Sequence, residues 1–344
     1  MSSELILVTG ASGYLGAHIV HQLLEKGYRV RGTARGAKVE LARQGFASYG
    51  DRIKILNVDD VATDDISEHL KGVAAVIHTA APLSSRGDAK FILKGAIEGS
   101  VNIIRQAEKA GIKKIIYTSS IAAVFNPSGS LTAADWNPMT YDQAIQSNGL
   151  TAYAAAKSLA EKAVWDFVDT HKHLEVTSFC PPFFYGPFAP GFSIPPNDYF
   201  AISTTKYIHR FLTPAGTFPA FAGYIDVRDL ARAHVGALTS PPESVIGRKR
   251  LPVASPYDLN YKTAVEFIGE KRPELKNRLV DANKAPKFPL DKMALDLKKV
   301  EEVTGVKSDS YIPWQDTILE TVDDLIKMEK DWASKGVSVE IPVA

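Results

Sequence analysis

The strongest constraint on this chain lies in residues 5–16, Leu-Ile-Leu-Val-Thr-Gly-Ala-Ser-Gly-Tyr-Leu-Gly. A short apolar run enters three glycines, Gly10, Gly13 and Gly16, and an amphipathic run follows with Ile19, Val20, Leu23 and Leu24 on one side. The pattern predicts a strand, a tight turn and a helix, the opening unit of a dinucleotide-binding sheet. Gly10 can adopt backbone angles that a side chain forbids. Gly13 lets a pyrophosphate reach the main chain, and Gly16 lets helix and strand pack closely. The helix N-terminus then offers unpaired N–H groups and partial positive charge to the phosphates.

The rest of the chain repeats this unit. Residues 28–35, 53–58, 73–79, 114–120 and 174–179 read as further strands, so six are expected in all. Helical periodicity covers 38–49, 91–110 and 151–170. Strands alternating with helices at this spacing imply an α/β fold, a doubly wound parallel sheet whose ligand site lies at the strand carboxyl ends. The composition changes at Pro181: residues 183–224 hold 12 of the 28 Phe and Tyr residues and few charges, as a pocket wall or a core would. Residues 224–238 return to helix-like order, and the tail from 256 carries two or three amphipathic helices. The division read from this is 1–180 for dinucleotide binding, completed by about 225–255. Residues 181–224 and 256–344 form a smaller, mostly helical substrate-binding lobe.

A net charge of +1 gives no push toward nucleic acid or membrane, and the lone cysteine, Cys180, excludes an internal disulfide. No basic start precedes an apolar core, and no stretch reaches the roughly 18 apolar residues of a membrane span. A cytoplasmic protein, a monomer or homodimer with no metal, is expected.

A second constellation carries chemistry. Of 13 tyrosines only Tyr153 has a lysine four residues on, Lys157. On a helix both side chains reach one point. Ser119 and Ser120 end the fifth strand, at the sheet edge where a cofactor on the glycine turn would lie. A phenol, with a pKa near 10, is a poor acid-base catalyst at neutral pH unless a nearby cation favours the phenolate. Such a phenol can protonate a carbonyl oxygen while a nicotinamide delivers hydride to the carbon, with a serine hydroxyl holding the same oxygen.

Gly10-x-x-Gly13-x-x-Gly16, Tyr117-Thr-Ser-Ser120, Tyr153-x-x-x-Lys157, the 181–187 segment ending Tyr-Gly-Pro and the block Asp226-Val-Arg-Asp-Leu-Ala-Arg-Ala-His234 together resemble an extended short-chain dehydrogenase/reductase. The superfamily is that of the NAD(P)-dependent epimerases and dehydratases. The most similar branch is the dihydroflavonol reductase-like enzymes, with cinnamoyl-CoA reductases and fungal methylglyoxal and aldehyde/ketone reductases. The resemblance covers nearly the whole chain and implies a Rossmann-type fold. It makes Ser120 the catalytic serine, Tyr153 the proton donor and Lys157 the residue that holds the nicotinamide ribose and lowers the tyrosine pKa. Ser12, Tyr14 and Leu15 join the glycines at the phosphates, Asp59 and Asp60 lie near the adenine, and Ala80, Ala81 and Pro82 form the loop over the cofactor. Asn102 stands where many members have an asparagine supporting a water relay, and Pro181 and Phe183 flank the nicotinamide.

Cofactor and substrate follow from the departures. The acidic position that an NAD enzyme places after strand two is Ala34 here, followed by Arg35; Arg35, helped by Lys38 or Arg31, can pair with a 2′-phosphate, so NADPH is expected. Flavonoid-reducing members carry an asparagine five residues after the serine, where this chain has Phe125, although Asn126 is adjacent. Phe125, Phe184 and Tyr185 are the expected substrate-pocket residues. Residues 183–224 offer only Lys206 and Arg210, with His209, to a CoA or nucleotide phosphate. The resulting reading is an NADPH-dependent reductase of small or medium neutral aldehydes and ketones. A cinnamoyl-CoA or dihydroflavonol-type reductase, a nucleotide-sugar epimerase or dehydratase and a non-catalytic NADP-sensing regulator are the alternatives.

Overall fold

The structure, a computed structural model, describes residues 3–81, 89–127, 131–147, 149–196, 198–287 and 295–342. Pro82 lies outside the described residues.

Apolar alternation along each strand dictates the layers. In β1 (Leu5–Thr9), Ile6 and Val8 pack to one side with Leu15, Ile19 and Leu230, while Leu7 packs to the other with Ile103, Ile104 and Val164. A strand buried on both faces needs a helix layer on each. With β2 (Arg29–Ala34), β3 (Ile53–Asn57), β4 (Val73–His78), β5 (Lys114–Thr118), β6 (Glu175–Cys180) and β9 (Lys249–Pro252), it forms a seven-stranded parallel sheet ordered β3-β2-β1-β4-β5-β6-β9. Helices α1 (Tyr14–Glu25), α2 (Lys38–Gly45), α5 (Val227–Gly236) and α7 (Leu297–Thr304) cover the first face; α3 (Ala89–Lys109) and α4 (Gly149–Thr170) cover the second. The order reverses between β1 and β4, so the crevice opens at their carboxyl ends.

Strand β9 is a correction to the six strands expected. Its sequence, Lys-Arg-Leu-Pro, has no apolar run, yet Lys249 and Arg250 are buried because each meets a carboxylate, Glu175 and Glu161. The helix expected over 38–49 ends at Gly45, followed by a 3-10 turn at Ala47–Arg52. Residues 224–226 are strand β8 (Tyr224–Asp226), paired in parallel with β7 (Phe183–Tyr185), before α5 begins.

A further core gathers Tyr185, Phe211 and Tyr224 with residues of α6 (Tyr261–Lys271) and α8 (Trp314–Ser334), among them Val265, Ile268, Ile318 and Leu325. Hydrogen bonds from Gly186 N to Thr321 Oγ1 (2.8 Å) and from Thr317 Oγ1 to the buried Asp226 carboxylate (2.7 Å) tie it to the sheet. Among the described residues, no helix is long and apolar enough to cross a membrane.

Candidate active site

The glycine turn is built as tightly as its spacing implies. Gly10 sits at φ 72°, and a Cβ there would lie 2.9 Å from Thr79 Oγ1 and 3.0 Å from Ala80 N, so the 79–81 loop lies directly over it. A Cβ on Gly16 would stand 2.1 Å from the Gly10 carbonyl oxygen. Gly13, exposed at the mouth, caps α1 through its backbone alone, which leaves the first-turn N–H groups for an anion. This cradle fits a dinucleotide pyrophosphate. The side chains of Tyr14 and Leu15 point away from it: the Tyr14 hydroxyl donates to Gly186 O (2.7 Å) and Leu15 is in the core. Only their backbones are placed to meet a phosphate. Ser12 stays half-buried in the turn.

Arg35 is exposed just past β2, and Lys38 opens α2 with its ammonium 2.9 Å from Asp198. Arg31 points elsewhere, donating to the carbonyls of His69 (2.5 Å) and Lys71 (3.0 Å). Asp59 and Asp60 lie exposed beyond β3; the Asp60 carboxylate accepts from Ala62 N, and both backbone N–H groups bond Asp64. Asn102 is committed to that loop. Its amide donates to the carbonyls of Val61 (3.0 Å) and Asp64 (3.2 Å), and its oxygen accepts from Gln106. Ser100, whose hydroxyl lies 3.2 Å from Tyr117 Oη, is the α3 residue turned toward the serine strand, and residues two apart on a helix do not share a face. The Asn102 amide therefore braces the 61–64 loop rather than facing Tyr153.

At the carboxyl end of β5 the backbone keeps pairing with the next strand, Ser119 N to Phe179 O and Ile121 N to Pro181 O, which fixes Ser120 between them. Helix α4 brings Tyr153 and Lys157 to the same place. A hydrogen bond with the Ser120 side chain pulls the Tyr153 pKa down, but burial is the larger influence and leaves it raised. The Lys157 ammonium donates to Thr118 O (2.9 Å) and lies 5.7 Å from the Tyr117 ring centroid; burial lowers its pKa to about 8, against the raising effect of Glu161. Behind it, Thr118 Oγ1 lies 2.9 Å from His234 Nε2. His234 Nδ1 donates to Leu230 O, and burial, lowering its pKa to about 4, keeps the ring neutral, so Nε2 accepts from the threonine.

The aromatic segment divides by strand alternation. Phe183 packs on Tyr207 (4.7 Å between centroids) and Phe221 (6.4 Å), and Tyr207 is near enough to raise the Tyr153 pKa. Phe125 is 53% exposed just past the short helix Ile121–Val124 that Ser120 caps. Phe184 instead stacks on Tyr14 (5.8 Å) on the α1 side, and Tyr185 is 0% exposed in the lobe core. Tyr185 therefore presents no surface to a ligand, a correction to the expected pocket, and the half-buried Phe184 ring faces α1 rather than Phe183 and Tyr207. Tyr207 and Phe221 were not singled out from the sequence, since nothing local separates them from the other aromatics of that segment.

The NAD dependent epimerase/dehydratase family matches residues 6–249. The chain belongs to that family. Among members, it is 30% identical to a putative NADPH-dependent methylglyoxal reductase of Candida albicans over 94% of this chain and 99% of that one. It is 31% identical to aldehyde reductase 2 of Sporidiobolus salmonicolor over 75% of this chain and 78% of that one. The crystal structure of yeast methylglyoxal/isovaleraldehyde reductase complexed with NADPH superposes with a TM-score of 0.78 at 26% identity, covering 95% of this chain and 99% of that one.

Proposed function

We propose that this member of the epimerase/dehydratase family is an NADPH-dependent carbonyl reductase that turns small or medium neutral aldehydes and ketones into alcohols. The observation that carries the reading is the convergence of Ser120, Tyr153 and Lys157 at the strand ends beside the glycine cradle. Related reductases that bear NADPH in their names support the cofactor. The phosphates would rest on the Gly10–Gly16 turn, the 2′-phosphate on Arg35 and Lys38, and the nicotinamide ribose on Lys157. When bound, NADPH supplies hydride to the carbonyl carbon.

The chain's own groups handle the oxygen. Tyr153, its pKa raised by burial, holds its proton at neutral pH and can release it to the developing alkoxide. Ser120 holds both the phenol and the substrate oxygen. The Lys157 cation stabilises the phenolate left behind, and Phe183, Tyr207, Phe221 and Phe125 supply apolar surface for a neutral substituent.

Tyr153→Phe tests the assignment because it removes one oxygen and leaves the ring. NADPH binding, followed by fluorescence, should persist, while turnover with saturating NADPH should fall about 10²–10⁴-fold, the usual worth of general acid catalysis. Wild-type turnover in that variant refutes the mechanism.

A further inference from the structure

Beneath the reacting groups lies a buried ion pair that reduction does not consume. Glu161 follows Lys157 by one helical turn and Tyr153 by two, so all three share a face of α4. Its carboxylate is 0% exposed and accepts from Ser119 Oγ (2.8 Å), Ser178 Oγ (2.6 Å), Trp165 Nε1 (3.3 Å) and Arg250 Nε and Nη2 (3.1 and 3.2 Å). Arg250 reaches in from β9, the outermost strand. It also donates through Nη1 to the carbonyls of Ala133 (2.8 Å) and Asp135 (2.6 Å), and its guanidinium lies 3.6 Å from the Trp136 ring centroid. One pair thus joins the strand end that carries Ser120, the helix that carries Tyr153 and Lys157, strand β6, and the wall downstream of the serine.

Two apolar residues of similar volume would stabilise such a spot as well or better, because desolvating two charges offsets most of their attraction. What they could not supply is a fixed negative charge below the lysine. The Lys157 ammonium lies over the ring of Tyr117 of β5, His78 of β4 and Cys180 of β6 are near enough to interact with its charge, and Tyr153 stands one turn before it on its own helix. Glu161 is the strongest influence on Lys157 that favours its charged form.

We infer that Glu161 and Arg250 are the positioning unit of the reductase centre: Arg250 fixes the carboxylate, and the carboxylate fixes the Ser119–Ser120 strand end and keeps Lys157 a cation at neutral pH. The inference rests on the reading that Ser120, Tyr153 and Lys157 carry the reduction. Neither Glu161 nor Arg250 touches substrate or cofactor in this role.

The test follows the charge of Lys157 directly. In full-length protein with ¹³C-labelled lysine, its titration is read by NMR, the signal assigned with Lys157→Met, and the pH profile of kcat/KM with NADPH is measured beside it. Glu161→Gln should move both the titration and the alkaline limb of the profile to lower pH by about one unit, the low end for loss of an adjacent opposite charge. Because that variant strands a buried arginine, Glu161→Gln/Arg250→Met is made as well; it should recover melting temperature and keep the lowered titration. Glu161→Asp, which retains the charge, should titrate like wild type while losing turnover through the displaced strand end. A wild-type titration in the double variant, or a shift in Glu161→Asp as large as in Glu161→Gln, reduces the pair to a structural brace and overturns the inference. Failure of the underlying mechanism would look different: Tyr153→Phe would keep wild-type turnover whatever Lys157 does.

Discussion

Arg35→Ala should weaken NADPH about 10- to 100-fold and leave NADH nearly unchanged. The magnitude comes from one charge-assisted hydrogen bond to a 2′-phosphate, about 1.5–3 kcal/mol. Arg35 is exposed past β2 beside the buried, apolar Ala34, so the position at the end of that strand carries no carboxylate. Lys38 differs, because its ammonium is already 2.9 Å from Asp198, in a pair whose side chains are 29% and 17% exposed. Recruiting it means giving up a partly exposed ion pair worth about 0.2–1 kcal/mol. Lys38→Ala should therefore cost less than Arg35→Ala. Asp198→Asn, which removes the competing carboxylate, should tighten NADPH by up to about 5-fold. Dissociation constants for NADPH and NADH by fluorescence titration at one ionic strength read all three variants. Equal losses for the two cofactors in Arg35→Ala, or weaker NADPH binding in Asp198→Asn, would refute the reasoning.

Gly16→Ala should abolish measurable NADPH binding and lower stability by about 1–3 kcal/mol, the cost of overpacking. The new Cβ meets the Gly10 carbonyl at 2.1 Å, and that carbonyl is held by Gly13 N at 2.9 Å; near-wild-type binding and melting temperature would show that the turn yields. Acidification should unfold the protein from about pH 5. Burial lowers the pKa of His18 and His234 to about 4 and of His78 to about 3, so between those values and the unfolded 6.5 the unfolded chain binds more protons and stability falls with pH. Asp229, raised to about 6 by burial, works the other way between 6 and 3.8, which leaves a net loss of about 4 kcal/mol from pH 6.5 to 5. Denaturant unfolding at both pH values, with no loss in midpoint, would contradict this.

The parts of this protein visible in its sequence are those whose geometry is set within one or two turns of chain. Gly10, Gly13 and Gly16 announce the turn because each spacing answers a contact made inside the same unit, and the Gly16–Gly10 approach is local. Tyr153 and Lys157 are visible for the same reason, since four residues on a helix bring two side chains together whatever surrounds them. The pocket fails this test. Phe183, Phe184 and Tyr185 are chemically alike, and only the partner across each face, Tyr207 or Tyr14, decides which ring can meet a ligand. Asn102 is misread for a related reason: its position on α3 is plain, but its direction depends on a loop that ends 38 residues earlier, at Asp64.

Strand β9 is the case where local signals point the wrong way. Lys-Arg-Leu-Pro has the composition of a surface turn, and burial of its two cations is inconceivable until their carboxylates are known. Those carboxylates lie far back in the chain, Glu175 at the start of β6 and Glu161 in the helix that carries Tyr153. The spacing Tyr153, Lys157, Glu161 was open to view, three residues on one helical stripe ending in an acid. Read as periodicity it gives a solvated charge at the rim. Read with Arg250, 89 residues on, it gives a buried carboxylate one helical turn past Lys157. Glu161 and Arg250 were therefore hidden by long-range pairing: each half is implausible in the core alone, and together they join the strand end at Ser119 to the helix that carries Tyr153 and Lys157.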